Sequence, residues 1–171
     1  MEYPKRKIIR LPEFDYGAGA YFVTICTHQR RCFLSHISVG ALHEAPAAYV
    51  ELTPIGKIVQ AQIDLLPSRY PNLSVIHSVV MPNHVHLLLE IRAERALREA
   101  PLRDKRSALS KVVGYLKMNS SKQIHTIAPN LKTWQRSYHE HVIRNEQDYH
   151  EIWNYIDGNP AKWAEDRYYI K

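Results

Sequence analysis

The sequence predicts an α+β domain: a ferredoxin-like, RRM-like antiparallel sheet with helices packed on one face. Three observations lead to this fold class. Apolar strand segments and amphipathic helix segments follow one another in the order strand, helix, hairpin, helix, strand. Two of the strands are separated by only three residues, which favours an antiparallel hairpin. The helices carry their apolar residues on one side, so that side must be buried against the sheet.

The first half of the chain supplies one strand and one helix. Residues 20–27 are rich in β-branched and aromatic side chains and form the first strand. The Ala- and Pro-containing stretch at 36–50 predicts an irregular loop. Thr53 and Pro54 are typical of a helix N-terminus, and apolar residues continue at helical spacing until Pro67 ends the helix.

The second half supplies a hairpin, two more helices and a fourth strand. Residues 73–80 and 84–91 are apolar strands joined by a tight turn. An amphipathic helix spans roughly 107–125, and the mixed segment after it contains the fourth strand. Asn145 caps a third helix, which ends at Gly158-Asn159-Pro160 because glycine terminates helices and proline prevents their continuation.

Composition narrows the class of protein. We expect residues 1–171 to form a single domain, since 171 residues are room for one compact core. Hydrophobic residues make up 45% of the chain, which excludes a disordered protein. The sequence contains no apolar run of membrane-spanning length and no signal-peptide core. Two cysteines cannot build a disulfide framework, so we expect a reducing, cytoplasmic location.

An excess of positive charge indicates a polyanionic partner. The chain carries 23 Lys and Arg residues against 17 Asp and Glu residues, a formal net charge of +6. Basic charge raises the affinity for phosphate groups, so nucleic acid is the favoured partner. The residues expected to contact phosphates are Lys5, Arg6, Lys7 and Arg136. A solubilising surface would have the same composition, and the sequence alone leaves both interpretations open.

His84 and His86 are candidate metal ligands. Alternate side chains of a strand lie on one face, so both imidazoles point the same way while Val85 and Leu87 point into the core. Two histidines on one face beside a turn can chelate a divalent metal. A pair of half-exposed strand histidines is the other interpretation, and any metal site needs a third ligand that is remote in sequence.

Two tyrosines are candidate nucleophiles. Tyr155 falls outside the apolar stripe of the third helix and shares a face with Asn159, one turn away. Tyr115 lies off the stripe of the second helix, between Lys111 and Lys122, whose charges would lower the pKa of its phenol. Helical geometry does not choose between Tyr155 and Tyr115.

The strings VVMPNHVHLLLEI and WQRSYHEHVIRNEQDYHEIWNYIDGNPAKW resemble the REP-associated tyrosine transposases, which belong to the HUH (His-hydrophobic-His) single-tyrosine transposases. The likeness extends to YFVTICTHQRRCFL and LTPIGKIV and covers nearly the whole chain. It identifies His84-Val85-His86 as the HUH element, on a central strand. The family pattern Tyr-Ile-x-x-Asn-Pro corresponds to Tyr155–Pro160, so the resemblance implies that Tyr155 is the nucleophile and that Asn159 is the third metal ligand.

The implied activity is DNA cleavage and strand transfer by transesterification. The resemblance implies Mg²⁺ or Mn²⁺ at His84, His86 and Asn159, a 5′-phosphotyrosine at Tyr155, and single-stranded or hairpin DNA from palindromic repeats as the partner. It implies a nucleoid-associated protein, and the family includes both monomers and homodimers. The alternatives are a metal-dependent nuclease that uses water and a non-catalytic nucleic-acid-binding module on the same sheet.

Overall fold

A computed structural model describes residues 18–42, 45–92 and 107–170. Lys5, Arg6 and Lys7 therefore lie outside the described residues. The strands are β1 (Gly19–Cys26), β2 (Ser35–Leu42), β3 (Ala45–Leu52), β4 (Leu73–Val80), β5 (His84–Ile91) and β6 (His139–Ile143). The α-helices are α1 (Pro54–Asp64), α2 (Leu66–Arg69), α3 (Ala108–Ile127) and α4 (Glu146–Gly158). Short 3-10 turns lie at His28–Arg30 and Trp163–Glu165.

The main sheet has four antiparallel strands in the order β4-β5-β1-β6. With α1 between β1 and β4, and α3 between β5 and β6, this is the ferredoxin-like order predicted from the sequence. Helices α1 and α3 pack on one face of the sheet, over a core that includes Val23, Ile25, Leu87 and Leu89. The prediction of an antiparallel sheet with helices on one face is therefore confirmed.

Helix α4 lies on the opposite face of the sheet. Its Tyr155 ring contacts Phe22 of β1 and His86 of β5, and its Trp153 ring stacks on His77 of β4. The helix begins as predicted, because the Asn145 side chain accepts a hydrogen bond from the backbone N–H three residues on. Helix α4 thereby covers the face that carries the two histidines.

The expectation of an irregular loop at 36–50 is wrong. Strands β2 and β3 pair in an antiparallel two-stranded sheet, with Ser35 opposite Leu52. The β-branched and aromatic residues at both ends of this stretch favour strands, and both members of a two-stranded sheet are edge strands, where proline is tolerated. The Ser35 hydroxyl donates to the Val80 carbonyl and so ties this small sheet to the end of β4.

The start of α1 fits closely against the chain before β2. The Thr53 side chain accepts a hydrogen bond from Gly56 N–H at 3.0 Å, and Pro54 occupies the first turn, as predicted. A Cβ atom at Gly56 would lie 1.9 Å from the Leu34 carbonyl oxygen, so only glycine fits there. Helix α1 ends before Pro67, which opens the short α2. Among the described helices, none is long and apolar enough to cross a membrane.

Candidate active site

His84 and His86 lie side by side on the interior strand β5. Both side chains project from the face opposite to α1 and α3, as the alternation along a strand requires, and both are fully buried. Their Nε2 atoms face each other at 2.9 Å. Two nitrogen ligands bound at about 2.1 Å and at right angles on one ion would lie about 3 Å apart. The two imidazoles are therefore spaced to share one cation.

Hydrogen bonds from the turn before β5 fix the tautomer of His84. The Asn83 amide nitrogen donates to the carbonyls of Arg30 and Tyr168, at 3.1 and 2.8 Å, which leaves its Oδ1 as an acceptor. His84 Nδ1 lies 2.8 Å from that oxygen and so must carry the proton. The lone pair of a neutral His84 is consequently on Nε2, the atom that faces His86.

Both imidazoles are held in the neutral form that binds metals. Burial lowers the pKa of His84 to about 4, although the Asp166 carboxylate opposes this shift. Burial and the neighbouring His84 hold the pKa of His86 well below its usual range. Nδ1 of His86 is 2.9 Å from the Thr24 hydroxyl, which orients the ring. Metal binding near neutral pH therefore requires no net loss of a proton from the ring pair, although the proton on Nε2 of His86 must move to its Nδ1.

Asp166 is a candidate ligand that sequence reasoning missed. Its carboxylate and the ring nitrogens of His84 and His86 supply three ligand atoms that all lie within 4.8 Å of one another. It follows the second 3-10 turn, where no helical or strand periodicity marks a functional position. This segment comes close to β5 only in the folded chain. The ring of nearby Tyr168 lies there too, with its centroid 4.7 Å from that of His84.

Asn159, the predicted third ligand, lies next to this cluster. Its side chain is buried, and its Nδ2 donates to Asp166 Oδ2 at 2.6 Å. Its Oδ1 is buried and has no hydrogen-bond partner among the described residues. An unpaired buried amide oxygen is costly, so this atom is a candidate oxygen ligand. The structure thus places a carboxylate beside the two imidazoles and the Asn159 amide against that carboxylate.

Tyr155 reaches the same cluster from α4. Its ring packs against His86, with ring centroids 5.3 Å apart, and its hydroxyl donates to Asp166 Oδ2 at 3.4 Å. The side chain is 40% exposed, so an incoming phosphate can approach it from solvent. Burial first and the Asp166 charge second raise the pKa of Tyr155 to about 12, while Arg167 opposes this shift. The phenol is therefore protonated near neutral pH.

Comparison with solved structures identifies the fold. The chain superimposes on a REP-associated tyrosine transposase bound to a REP hairpin with a TM-score of 0.60 and 21% sequence identity, over 92% of this chain and 76% of that one. The chain has the fold of this transposase. The fold class predicted from the sequence is thereby confirmed by an independent structure.

Sequence comparison finds a relative of nearly the same length. An uncharacterized protein of Haemophilus influenzae is 27% identical over 176 residues, which cover 96% of this chain and 93% of the relative. No protein-family model matches the chain. The likeness extends along nearly the full length of both chains.

The alternative nucleophile Tyr115 lies elsewhere on this transposase fold. It belongs to α3, which packs on the face of the sheet opposite to the histidines. Its ring packs edge-to-face on Tyr70, with centroids 5.7 Å apart, and the Arg69 guanidinium lies 5.7 Å from its centroid. Of the two candidate tyrosines, Tyr155 lies on the face of the sheet that carries the histidines and Tyr115 lies on the other face.

Arg167 and Tyr168 are further residues that sequence reasoning did not single out. Arg167 lines two cavities that meet at Tyr155, one of about 670 Å³ toward β6 and one of about 250 Å³ toward Asn159. Its guanidinium lies 4.6 Å from the Tyr168 ring centroid and donates to the Tyr168 hydroxyl. Arg136, expected to contact phosphates, is exposed but lines a different groove beside α3.

Proposed function

We propose that this protein is a REP-associated tyrosine transposase that cleaves and rejoins single-stranded hairpin DNA through a 5′-phosphotyrosine intermediate. The observation that carries the proposal is the position of Tyr155, whose ring packs on His86 and whose hydroxyl contacts the carboxylate grouped with both histidines. A nucleophile, a metal-ligand set and a neighbouring cation are the parts that phosphodiester transesterification requires.

The residues present fit a divalent metal. His84, His86 and Asp166 would hold it, with Asn159 Oδ1 as a further oxygen donor. Two imidazoles in the set favour Mn²⁺ over Mg²⁺, which prefers an all-oxygen shell. A metal ion bound there supplies Lewis-acid polarisation of a phosphate oxygen and partial neutralisation of the charge that develops on phosphorus.

Tyr155 would carry the covalent step. Its oxygen attacks phosphorus as the bond from phosphorus to the 3′ oxygen breaks, which leaves the 5′ phosphate on tyrosine and a free 3′-hydroxyl. The phenolic proton leaves toward Asp166, the carboxylate to which it is already hydrogen-bonded, and a proton from solvent completes the 3′-hydroxyl. Arg167, which lines the cavities on either side, would contact the phosphate and stabilise the developing phenolate.

The phosphotyrosine preserves the energy of the broken phosphodiester. Attack by a 3′-hydroxyl on the same phosphorus reverses the first step, restores Tyr155 and rejoins DNA without ATP. The net positive charge of the chain increases its affinity for such a polyanionic substrate. The proposed partner is a DNA hairpin, the ligand in the structure of the transposase that shares this fold.

A Tyr155→Phe variant tests the proposal. Wild type incubated with a labelled hairpin oligonucleotide and Mn²⁺ should give a protein–DNA adduct that survives a denaturing gel, and Tyr155→Phe should give none. Tyr168→Phe and Tyr115→Phe are matched controls that remove a phenol nearby or on the far face, and both should retain the adduct. An adduct that persists in Tyr155→Phe would refute the assignment.

Water is a second candidate nucleophile, because Tyr155, with a pKa of about 12, is almost entirely protonated near neutral pH. A metal-dependent nuclease would use the same histidines and release a free 5′ phosphate instead of an adduct. Cleavage without any adduct in wild type, retained in Tyr155→Phe, would favour this function. Binding without cleavage, unchanged by EDTA or by His84→Ala, would indicate a non-catalytic DNA-binding module.

A further inference from the structure

Helix α4 carries Tyr155, so its attachment to the sheet decides where the Tyr155 hydroxyl lies. We propose that His77, on the edge strand β4, is a positioning residue that fixes the rotation of α4 about its own axis and so aligns Tyr155 with the histidine site. The inference rests on the proposed function, which makes Tyr155 the nucleophile. Two features of the fold support it: an extra residue in β4 and a ring stack between β4 and α4.

A β-bulge in β4 turns His77 toward α4. Val75 lies opposite Leu89 of β5. The next paired residue of β4 is His77, which lies opposite Leu88, so Ile76 is an extra residue in the strand. Leu89 belongs to the core under α1 and α3, whereas Leu88, one residue away, points to the face that α4 covers. Directly opposed residues point to the same side of a sheet, so His77 faces α4 together with Leu88.

Without the bulge, His77 would point to the core. Regular alternation puts residues two apart on the same face, and Val75 packs against the core on the side of α1 and α3. Bulges are common at sheet edges and next to active sites, where they redirect a side chain. Strand β4 is an edge strand and pairs with β5, which carries His84 and His86. The extra residue therefore brings the His77 ring to the face that carries the candidate site.

The His77 ring is attached to α4 by stacking. It lies against the Trp153 ring, with centroids 4.6 Å apart and planes inclined by 25°. Asp157, one helical turn after Trp153, places its Oδ1 3.8 Å from His77 Nε2. The Asp157 side chain is 75% exposed, so this pair contributes little. Nε2 is itself buried and forms no hydrogen bond with the described residues, which leaves the stack as the main attachment of the ring.

Contacts on both flanks of α4 prevent it from rolling on the sheet. Among the residues of α4, all of which the structure describes, only Ile156 is fully buried. At about 100° per residue, Trp153 lies about 60° to one side of Ile156 and Tyr155 about 100° to the other side. His77 holds the first flank, and His86 contacts Tyr155 on the second. Loss of the His77 ring would therefore let the helix roll about Ile156.

A small roll is enough to affect the reaction. Side chains extend about 6 Å from a helix axis, so a roll of about 10° moves the Tyr155 side chain by about 1 Å. The Tyr155 hydroxyl lies 3.4 Å from Asp166 Oδ2, already a long hydrogen bond, and a further displacement of about 1 Å would break it. A misplacement of about 1 Å can slow an enzymatic reaction by about 100-fold.

Three variants separate the ring stack from the charge. His77→Ala removes the ring, His77→Phe keeps a ring that can stack on Trp153, and Asp157→Asn removes only the exposed carboxylate. In single-turnover reactions with a hairpin oligonucleotide and Mn²⁺, His77→Ala should form the adduct about 10- to 100-fold more slowly than wild type. The other two variants should react as wild type does. Mn²⁺ affinity and hairpin affinity should be unchanged in all three, because the ring acts through the position of Tyr155.

A second variant tests the same contact from α4. Trp153 is 37% exposed, so Trp153→Ala removes the other half of the stack without opening the core. It should slow adduct formation as His77→Ala does, and the double variant should be no slower than either single variant, because all three lose one contact. His150→Ala is the matched control, since it removes a histidine of α4 that is 66% exposed and pairs with Glu146. This control should react at the wild-type rate.

Several results would overturn the inference: a wild-type rate in His77→Ala, a rate in His77→Phe as low as in His77→Ala, or additive losses in the double variant. Hydrogen exchange of the α4 amides, measured in EDTA without DNA, provides a readout that does not depend on catalysis. Exchange should be faster in His77→Ala than in wild type, and unchanged in His77→Phe. Wild type that forms no adduct would refute the proposed chemistry, and unchanged exchange in His77→Ala would refute the attachment of α4 by His77.

Discussion

Replacing Asp166 with asparagine removes one negative charge from the candidate metal site and leaves the size of the side chain unchanged. In the wild type, Oδ1 accepts a hydrogen bond from Tyr168 N–H and Oδ2 accepts one from Asn159 Nδ2, both at 2.6 Å. Asparagine has only one acceptor oxygen, so its NH₂ group must face either the Asn159 amide nitrogen or the Tyr168 N–H. At least one of the two short hydrogen bonds to the carboxylate is therefore lost or replaced by a neutral one.

The magnitude follows from these contacts. A hydrogen bond to a charged group contributes about 1.5–3 kcal/mol, so the free energy of unfolding of the metal-free variant should fall by about 2 kcal/mol. Removing a side chain that only hydrogen-bonds to a metal ligand lowers metal affinity by about 10- to 100-fold. Loss of a ligand should lower the affinity for Mn²⁺ by at least as much. Removal of the Asp166 charge also takes away one of the causes that raise the pKa of Tyr155.

Two assays check this prediction: urea denaturation in EDTA, and Mn²⁺ titration followed by electron paramagnetic resonance. Glu165→Gln is the matched control, because it neutralises the adjacent, exposed carboxylate. We expect Glu165→Gln to bind Mn²⁺ as wild type does. Unchanged Mn²⁺ affinity in Asp166→Asn would refute the reasoning that Asp166 is a ligand, and would leave Asn159 Oδ1 as the oxygen donor.

Three further predictions concern pH, packing and charge. Because the pKa of His84 is about 4 when folded and 6.5 in the reference state, the unfolded chain binds more protons, and metal-free stability should fall as the pH decreases from 6.5 to 4, by about 3 kcal/mol from His84. His86, whose pKa is also lowered by burial, adds to this dependence, so urea titrations should show a weaker pH dependence in His84→Gln than in wild type. Gly56→Ala should lower the free energy of unfolding by about 1–3 kcal/mol, because the new methyl group meets the Leu34 carbonyl, and an unchanged melting temperature would contradict this. Arg167→Gln should slow adduct formation by about 100-fold in single-turnover assays, whereas a wild-type rate would exclude contact with the phosphate.

Much of the fold follows from local patterns in the sequence. Strands β4 and β5 coincide with the predicted ranges, because each is rich in apolar residues and bounded by turn residues. The caps at Thr53 and Asn145 are short-range hydrogen bonds, and they form as expected. Strands β2 and β3 escaped prediction because their composition resembles that of a loop, and cross-strand pairing decided the outcome.

The candidate site was predictable only in part. Strand alternation places His84 and His86 together, and helical spacing relates Tyr155 to Asn159. Neither the strand alternation nor the helical spacing relates Asp166 to the histidines. Its carboxylate reaches them because the chain folds back over the sheet after α4. The positions of the two tyrosines on opposite faces likewise follow only from the sheet, which separates α3 from α4.

The central claim is that Tyr155 forms a covalent bond with DNA, and peptide mass mapping tests it most directly. Wild-type protein is incubated with a hairpin oligonucleotide and Mn²⁺, digested with nuclease and protease, and analysed by mass spectrometry. We predict that the peptide containing Tyr155 carries a nucleotide attached through its 5′ phosphate. Cleaved DNA with no modified peptide, or a nucleotide on Tyr168 or Tyr115 instead, would contradict the claim.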